Sequence, residues 1–334
     1  MASNLECTGD VFVTGGAGFI GSHIVELLVE NGYDITIYDN LSTGNLSNIE
    51  HIHNSINFIE GDLLDADRLT TAMDGHEIVS HQAAQLEITT AMEEPQTDLE
   101  VNTSGSLNVF DAVVENDISK VLYASSACVY GQAKTTPQSE EHPTDPNWPY
   151  GVSKLAVDKY ANIYSKTYDI PFVGLRYGIT YGQREWYGRV MTVFLKRALN
   201  GKPPVVWGGE QVRDFVHVRD ASRLHNLAVE SDTTGHEIYN VGTGVATSIK
   251  ELAKLVVEST NLDRDIVFED IEPGEESKQV ERDRLPQELE KMVLDPSKAK
   301  QKLDWEPQVN LREGLSLQYE WLKENRERWQ NPSY

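Results

Sequence analysis

The sequence predicts an α/β protein: a doubly wound parallel sheet carrying a second, smaller α/β lobe. Three observations carry that expectation. Short apolar runs ending in glycine or polar residues alternate with stretches of helical periodicity along the first half of the chain. A glycine-rich turn joins the first apolar run to the first helix, and an acidic residue closes the second run. The 334-residue length also suits about two compact units at roughly 150 residues each.

The elements follow in order. DVFVTGG (10–16) reads as a buried strand ending in glycines. AGFIGSHIVELLVENG places Ile20, Ile24, Leu27 and Leu28 at helical spacing, with Asn31-Gly32 closing the helix. DITIYDN (34–40) is the second strand, so strand, turn, helix and strand follow as in a dinucleotide-binding βαβ unit. In the turn, Gly15, Gly18 and Gly21 form G-x-x-G-x-x-G. The first permits tight bending, the second lets a pyrophosphate approach the backbone, and the third packs helix against sheet. Asp39 ends the second strand, where a carboxylate accepts from adenosine ribose hydroxyls and repels a 2′-phosphate. NAD is therefore expected rather than NADP.

Charge narrows the partners. Fifty-three Asp and Glu against 29 Lys and Arg leave a net charge of −24. Such a surface repels phosphate backbones and anionic lipids, so nucleic-acid and membrane partners are not expected. The acidity has two readings, an ordinary acidic protein or halophilic adaptation to a salty cytoplasm, and both stay open. Cys7 and Cys128 are too few for a disulfide framework. MASNLECTGD has neither a basic nor an apolar leader region, and no long apolar run follows, so a cytoplasmic protein is expected.

TGGAGFIGSH followed by YDNLSTG resembles the extended short-chain dehydrogenase/reductase family. Within it the likeness is to the NAD-dependent epimerase/dehydratase enzymes, UDP-glucose 4-epimerases among them. The resemblance runs through INFIEGD (56–62), EIVSHQAA (77–84), VNTSGSLNV (101–109), RDFVHVRD (213–220), YNVGTG (239–244) and DPSKAKQKLDWEP (295–307). It implies a Rossmann-type sheet and an NAD site lined by Gly15, Gly18, Phe19, Ile20, Gly21, Asp39, Asn40, Ser42 and Gly44. From later segments it adds Asp62, Leu63, Gln82, Ala83, Ala84, Asn102, Tyr150 and Lys154.

KVLYASSACVY (120–130) reads as a fifth strand ending in hydroxyls, and Tyr150-Gly-Val-Ser-Lys154 opens a helix to about residue 168. Tyr150 and Lys154, four apart, share one helix face. An ammonium beside a phenol lowers the phenol's pKa, which makes a general base for a sugar hydroxyl. In the resembled family Ser, Tyr and Lys carry the catalytic roles, and Ser126, Tyr150 and Lys154 match those positions. Family dehydratases place an Asp-Glu pair after the catalytic Thr, and decarboxylases a Glu before V-Y-G. Ala127 and Cys128 stand there instead, so neither chemistry is expected.

Cys128 opens a rival. S-S-A-C-V-Y resembles GDP-mannose 3,5-epimerases, whose Cys is an acid/base beside a ketone; their partner Lys falls at Tyr187 here, leaving the pair half present. A small apolar strand residue is the plainer reading of Cys128.

After FVGLRY (172–177) the chain should leave the sheet. Relatives carry an Asn where Ile179 stands, which puts the sugar's pose in question. Arg213 matches the family Arg that grips the diphosphate. Gln85, Ser126, Cys128, Ile179 and Arg213 are the expected substrate contacts. The family's R-P-G-D reads Leu285-Pro286-Gln287-Glu288, with Arg282 or Arg284 as substitutes, or a solvated loop, in the charged run before it. The nine histidines lack metal-ligand spacing, so no catalytic metal is expected.

The expected domains are 1–175 plus 212–248 for NAD, and 176–211 plus 249–330 for substrate. The resemblance implies a homodimer through helices near 98–116 and 150–168, and a nucleotide-diphosphate sugar as substrate. The leading expectation is a nucleotide-sugar 4-epimerase acting on a UDP-hexose or UDP-hexuronate by transient oxidation at carbon 4. Besides the Cys128 route, an NAD-binding scaffold without turnover is the non-enzymatic alternative.

Overall fold

The computed structural model describes residues 9–185, 188–280 and 282–330. Cys7 and Tyr187 lie outside the described residues, and the side chain of Arg282 is likewise not described.

Seven strands form the central sheet: β1 (Asp10–Thr14), β2 (Asp34–Asp39), β3 (Ile56–Glu60), β4 (Ile78–His81), β5 (Lys120–Ser126), β6 (Phe172–Tyr177) and β7 (His236–Val241). Their spatial order is 3-2-1-4-5-6-7, and every neighbouring pair is parallel. Helices on both faces bury the sheet, which is why β5 and β6 are nearly unbroken apolar or small-residue runs. The order reverses between β1 and β4, and the crevice beyond their carboxyl ends is where such sheets bind ligands.

One face is covered by α1 (Phe19–Glu30) and by a helix at Val218–Glu230. Ile24, Leu28, Leu224 and Ala228 pack there with Val11, Val13 and Val173. The other face carries α2 (Gly105–Glu115) and α3 (Pro149–Tyr168), where Phe110, Val113, Val157 and Ala161 meet Tyr123 and Phe172. A separate core of Phe194, Leu195, Leu252, Val256, Leu315 and Leu322 holds the smaller lobe around parallel strands Val205–Trp207 and Val267–Glu269.

Three local details differ from the sequence expectation. β5 stops at Ser126 rather than 130, because the Ser126 hydroxyl accepts from the Cys128 amide at 3.1 Å and turns 127–129 into a 3-10 turn. The helix expected over 98–116 is interrupted by a π-turn at Leu99–Ser104. Ala299, Leu303 and Trp305, assigned by sequence to the substrate lobe, lie in the first sheet-face core, and Trp305 Nε1 donates to the Asp220 carbonyl at 3.0 Å.

Candidate active site

The glycine turn sits at the carboxyl end of β1. Gly15 has φ +70°, and a Cβ there would lie 2.6 Å from the Ala83 nitrogen; one on Gly21 would lie 2.1 Å from the Gly15 carbonyl oxygen. The turn is therefore pressed against the Gln82–Ala84 loop on one side and α1 on the other. Helix α1 begins at Gly18 without a side-chain cap, leaving its first amides for an outside anion. These features fit a dinucleotide pyrophosphate.

Asp39 is buried, and its carboxylate accepts from the Ala17 amide at 3.0 Å and the Leu41 amide at 2.8 Å. Burial pushes its pKa up while those two bonds pull it back. A carboxylate has room for further donors, so ribose hydroxyls can join the two amides. Gly44 lies beside it: a Cβ there would come 2.8 Å from Asp39 Oδ1. Asn40 donates to Asp62 Oδ2 at 2.8 Å and accepts from the Ser42 amide at 3.0 Å, tying the loops after β2 and β3 together. Phe19 is nine-tenths buried and Ile20 packs on the α1 core, so both build the turn's floor. Leu63 is buried in the opposite core, beneath that rim. Gln82 accepts from the Tyr177 hydroxyl at 3.3 Å and donates to Ser80 at 3.2 Å.

The three residues expected to be catalytic assemble at the end of β5. Ser126 is buried, and it lies beside the Tyr150 phenol at the start of α3, whose ionisation it favours. Lys154 Nζ, one turn further along α3, donates to the Ala124 carbonyl at 3.0 Å. Burial lowers the Lys154 pKa to about 8, opposed by Asp98 and Asp158. The Tyr150 phenol corrects an expectation. It is raised rather than lowered, chiefly by burial and then by Cys128, with Arg189 and Ser126 acting the other way. Burial likewise pushes the Cys128 thiol up.

Asn102 joins the constellation structurally. Its amide exchanges hydrogen bonds with the Gln85 backbone at 2.9 and 3.0 Å, and donates to Asp98 at 2.8 Å. That amide is thus committed to holding the loop after β4. Beneath it, His81 bridges Thr14 at 2.7 Å and Ser106 at 2.9 Å, linking the glycine turn to α2. Sequence reasoning missed Asp98, since nothing near it in the chain marks a charged residue as buried.

On the substrate side, Arg213 Nη2 lies 3.4 Å from Glu288 Oε1. Arg284 Nε and Gln211 Nε2 each reach Glu288 Oε2 at 2.9 Å. One carboxylate thus gathers two guanidinium groups and an amide. Gln287 has φ +53°, a left-handed conformation at the position of the family's glycine. The neighbouring Asp214 instead anchors the loop after β7, accepting from the Thr243 and Gly244 amides at 2.9 and 3.0 Å. Ile179 and Cys128 pack on a shared apolar cluster with Leu285. Gln85 Oε1 is buried without a partner, so it remains open to a ligand donor. Among the described residues no group of His, Cys, Asp and Glu is placed to hold a metal, and no helix is long and apolar enough to cross a membrane.

A Rossmann-type sheet with Ser126, Tyr150 and Lys154 at the mouth of its nucleotide crevice defines an NAD-dependent enzyme. The chain belongs to the NAD dependent epimerase/dehydratase family, whose profile matches residues 11–242. It is similar to the UDP-glucose 4-epimerase of Thermotoga maritima solved with UDP-glucose, at 34% identity over 95% of this chain and 99% of that one, with a TM-score of 0.85. The UDP-glucose 4-epimerase of Thermus thermophilus in complex with NAD is also 34% identical, over 95% and 99% of the two chains, with a TM-score of 0.83. A UDP-N-acetylglucosamine 4-epimerase from Methanobrevibacter ruminantium is 31% identical over the same shares, with a TM-score of 0.86.

Proposed function

We propose that the protein is a nucleotide-sugar 4-epimerase acting on a UDP-hexose or UDP-hexuronate. The observation that carries this reading is the set Ser126, Tyr150 and Lys154 at the crevice mouth, with no carboxylate on the turn after Ser126. NAD, when bound, supplies a reversible hydride acceptor. The chain's own residues handle the proton. Tyr150 Oη takes the proton of the 4-hydroxyl, Ser126 Oγ orients that hydroxyl, and Lys154 supplies a positive charge that favours the phenolate once the site is filled. Without an acid beside Ser126, nothing there expels a hydroxyl.

Arg213 and Arg284 would take the diphosphate, displacing Glu288 from between them; Gln85, Cys128 and Ile179 would line the sugar. Cys128 packs in an apolar cluster with Ile179 and Leu285, the setting of a small core residue, which weighs against the enolising 3,5-epimerase route. A homodimer is part of the same reading. Leu99, Val152, Tyr160 and Ile163 are exposed on the π-turn and α3, whose adjoining faces form an apolar patch suited to a second copy.

The test is proton NMR in heavy water with bound NAD against a panel of UDP- and GDP-sugars. A new anomeric signal without deuterium uptake supports epimerisation at carbon 4; deuterium at carbons 3 or 5 overturns it in favour of Cys128. The scaffold alternative expects no turnover at all, and so no activity for Tyr150→Phe to remove.

A further inference from the structure

Asp98 ends the short helix Pro95–Asp98 and is 1% exposed, an unusual place for a carboxylate. It sits against the two elements that hold the catalytic pair. Its Oδ1 accepts from Asn102 Nδ2 at 2.8 Å across the π-turn, and the same nitrogen lies 3.3 Å from the hydroxyl oxygen of Ser153, the residue before Lys154. The Ser153 hydroxyl in turn donates to the Tyr150 carbonyl at 2.9 Å. Asp98, Asn102 and Ser153 therefore clamp the first turn of α3 from below.

Its side-chain donor, Asn102, is neutral, and among the described residues no cation pairs with Asp98 directly. A buried carboxylate in that state needs a nearby positive charge. Among the described residues Lys154 is the cation on the helix turn to which Asn102 ties Asp98, directly after Ser153. The other carboxylate near Lys154, Asp158, is already held by Arg176 at 2.8 Å. We propose that Asp98 is a further positioning residue of the reaction: its buried carboxylate is the counter-ion of Lys154 and sets which protonation states of Lys154 and Tyr150 the site favours.

The surrounding charges are few. Lys154 faces Asp98, Asp158 and His81; Tyr150 faces Cys128, Arg189 and Asp98. Glu93, Glu94 and Glu100 on the adjoining turns are exposed. Asp98 raises both Lys154 and Tyr150, so it keeps the lysine charged while holding back the phenol. Removing its charge frees the phenol to ionise at lower pH, and lets the lysine lose its charge earlier too. The clamp thus trades a more reluctant base for a dependable cation.

This assignment rests on Tyr150 and Lys154 being the proton-handling pair, and its test is chosen to need no sugar. The phenolate absorbance of the NAD-loaded protein is titrated with pH, and the Tyr150→Phe signal is subtracted to isolate Tyr150. Asp98→Asn keeps an acceptor for Asn102 and removes only the charge; its Tyr150 midpoint should fall by about one pH unit, the scale of a screened charge pair at this range. Where turnover is measurable, the pH optimum should move the same way. Asp98→Ser is the second variant should Asp98→Asn fail to fold, with the same expected shift. An unchanged midpoint alongside a lower melting temperature overturns the proposal and leaves Asp98 a structural clamp. Failure to find a sugar substrate would sink the epimerase reading without touching this titration.

Discussion

Arg176 on β6 closes its guanidinium on Asp158 of α3, with Nε at 3.0 Å and Nη2 at 2.8 Å from the same carboxylate oxygen. Both are almost fully buried, and Asp158 lies one turn beyond Lys154 on the helix. The pair therefore pins the catalytic helix to the sheet at the level of the active site. Nη1 of Arg176 also reaches the Tyr130 hydroxyl at 3.0 Å, which donates to Asn240 at 2.7 Å on β7.

Breaking that pair by removing one partner should be costly, because the other charge stays buried. Arg176→Met is expected to destabilise the protein by about 3–5 kcal/mol, the usual range for an orphaned buried ion. Urea denaturation checks this. A loss below about 1 kcal/mol, the scale of an exposed pair, would show that water reaches the site.

Asp39 should govern cofactor choice. Asp39→Asn removes the charge that repels a 2′-phosphate and weakens the ribose contacts, a loss of about 1.5–3 kcal/mol or roughly 10- to 100-fold in NAD affinity. Calorimetric titration with NAD and NADP should show NAD weakening and NADP gaining relative to it. Equal weakening of both would mean the carboxylate acts only by holding the Ala17 and Leu41 amides.

Acid should destabilise the fold through its buried imidazoles. Burial lowers His23, His81 and His225 from 6.5 to about 3. Between those values the unfolded chain takes up protons that the fold refuses. Stability is therefore intact above about pH 6.5 and falls as pH drops toward 3, at up to about 1.4 kcal/mol per pH unit for each such group. Asp39, Asp98 and Asp214 are raised and oppose this, since their folded forms hold protons longer. Denaturation midpoints at pH 7, 5.5 and 4.5 measure the net sign, expected to be downward. Replacing His225, whose Nδ1 has no partner, by Gln should flatten the fall.

The exposed stripe on α3 should hold a second copy. Val152→Asp with Ile163→Asp places two charges on residues more than half exposed, which costs a monomer little. Sedimentation velocity should show a dimer become a monomer with the monomer's fold intact. A wild-type monomer would mean that another partner, or none, covers the patch.

Much of this site is legible in the chain because its signals are local. The glycine spacing before α1, Asp39 at the end of β2, and the four-residue step from Tyr150 to Lys154 each reflect a turn or a helix face. The pieces that escaped are contacts between distant segments. Glu288 meets Arg213 across 75 positions, and Asn102 reaches Ser153 across 51. No periodicity or spacing encodes such pairings. The direction of Tyr150's shift was misread for the same reason, since burial depends on everything packed around the phenol.

The sequence by itself determined the class of fold and the cofactor, and marked Ser126, Tyr150 and Lys154 as the candidate trio, because backbone geometry and hydrogen-bonding chemistry restrict which residues can occupy a tight turn, a strand end or a helix face. Only the tertiary structure decided where charge is buried and what balances it: Asp158 against Arg176, Asp98 against Lys154, Glu288 between two arginines. Those are properties of desolvation and distance, and both arise only when the sheet, its helices and the lobe close on one another.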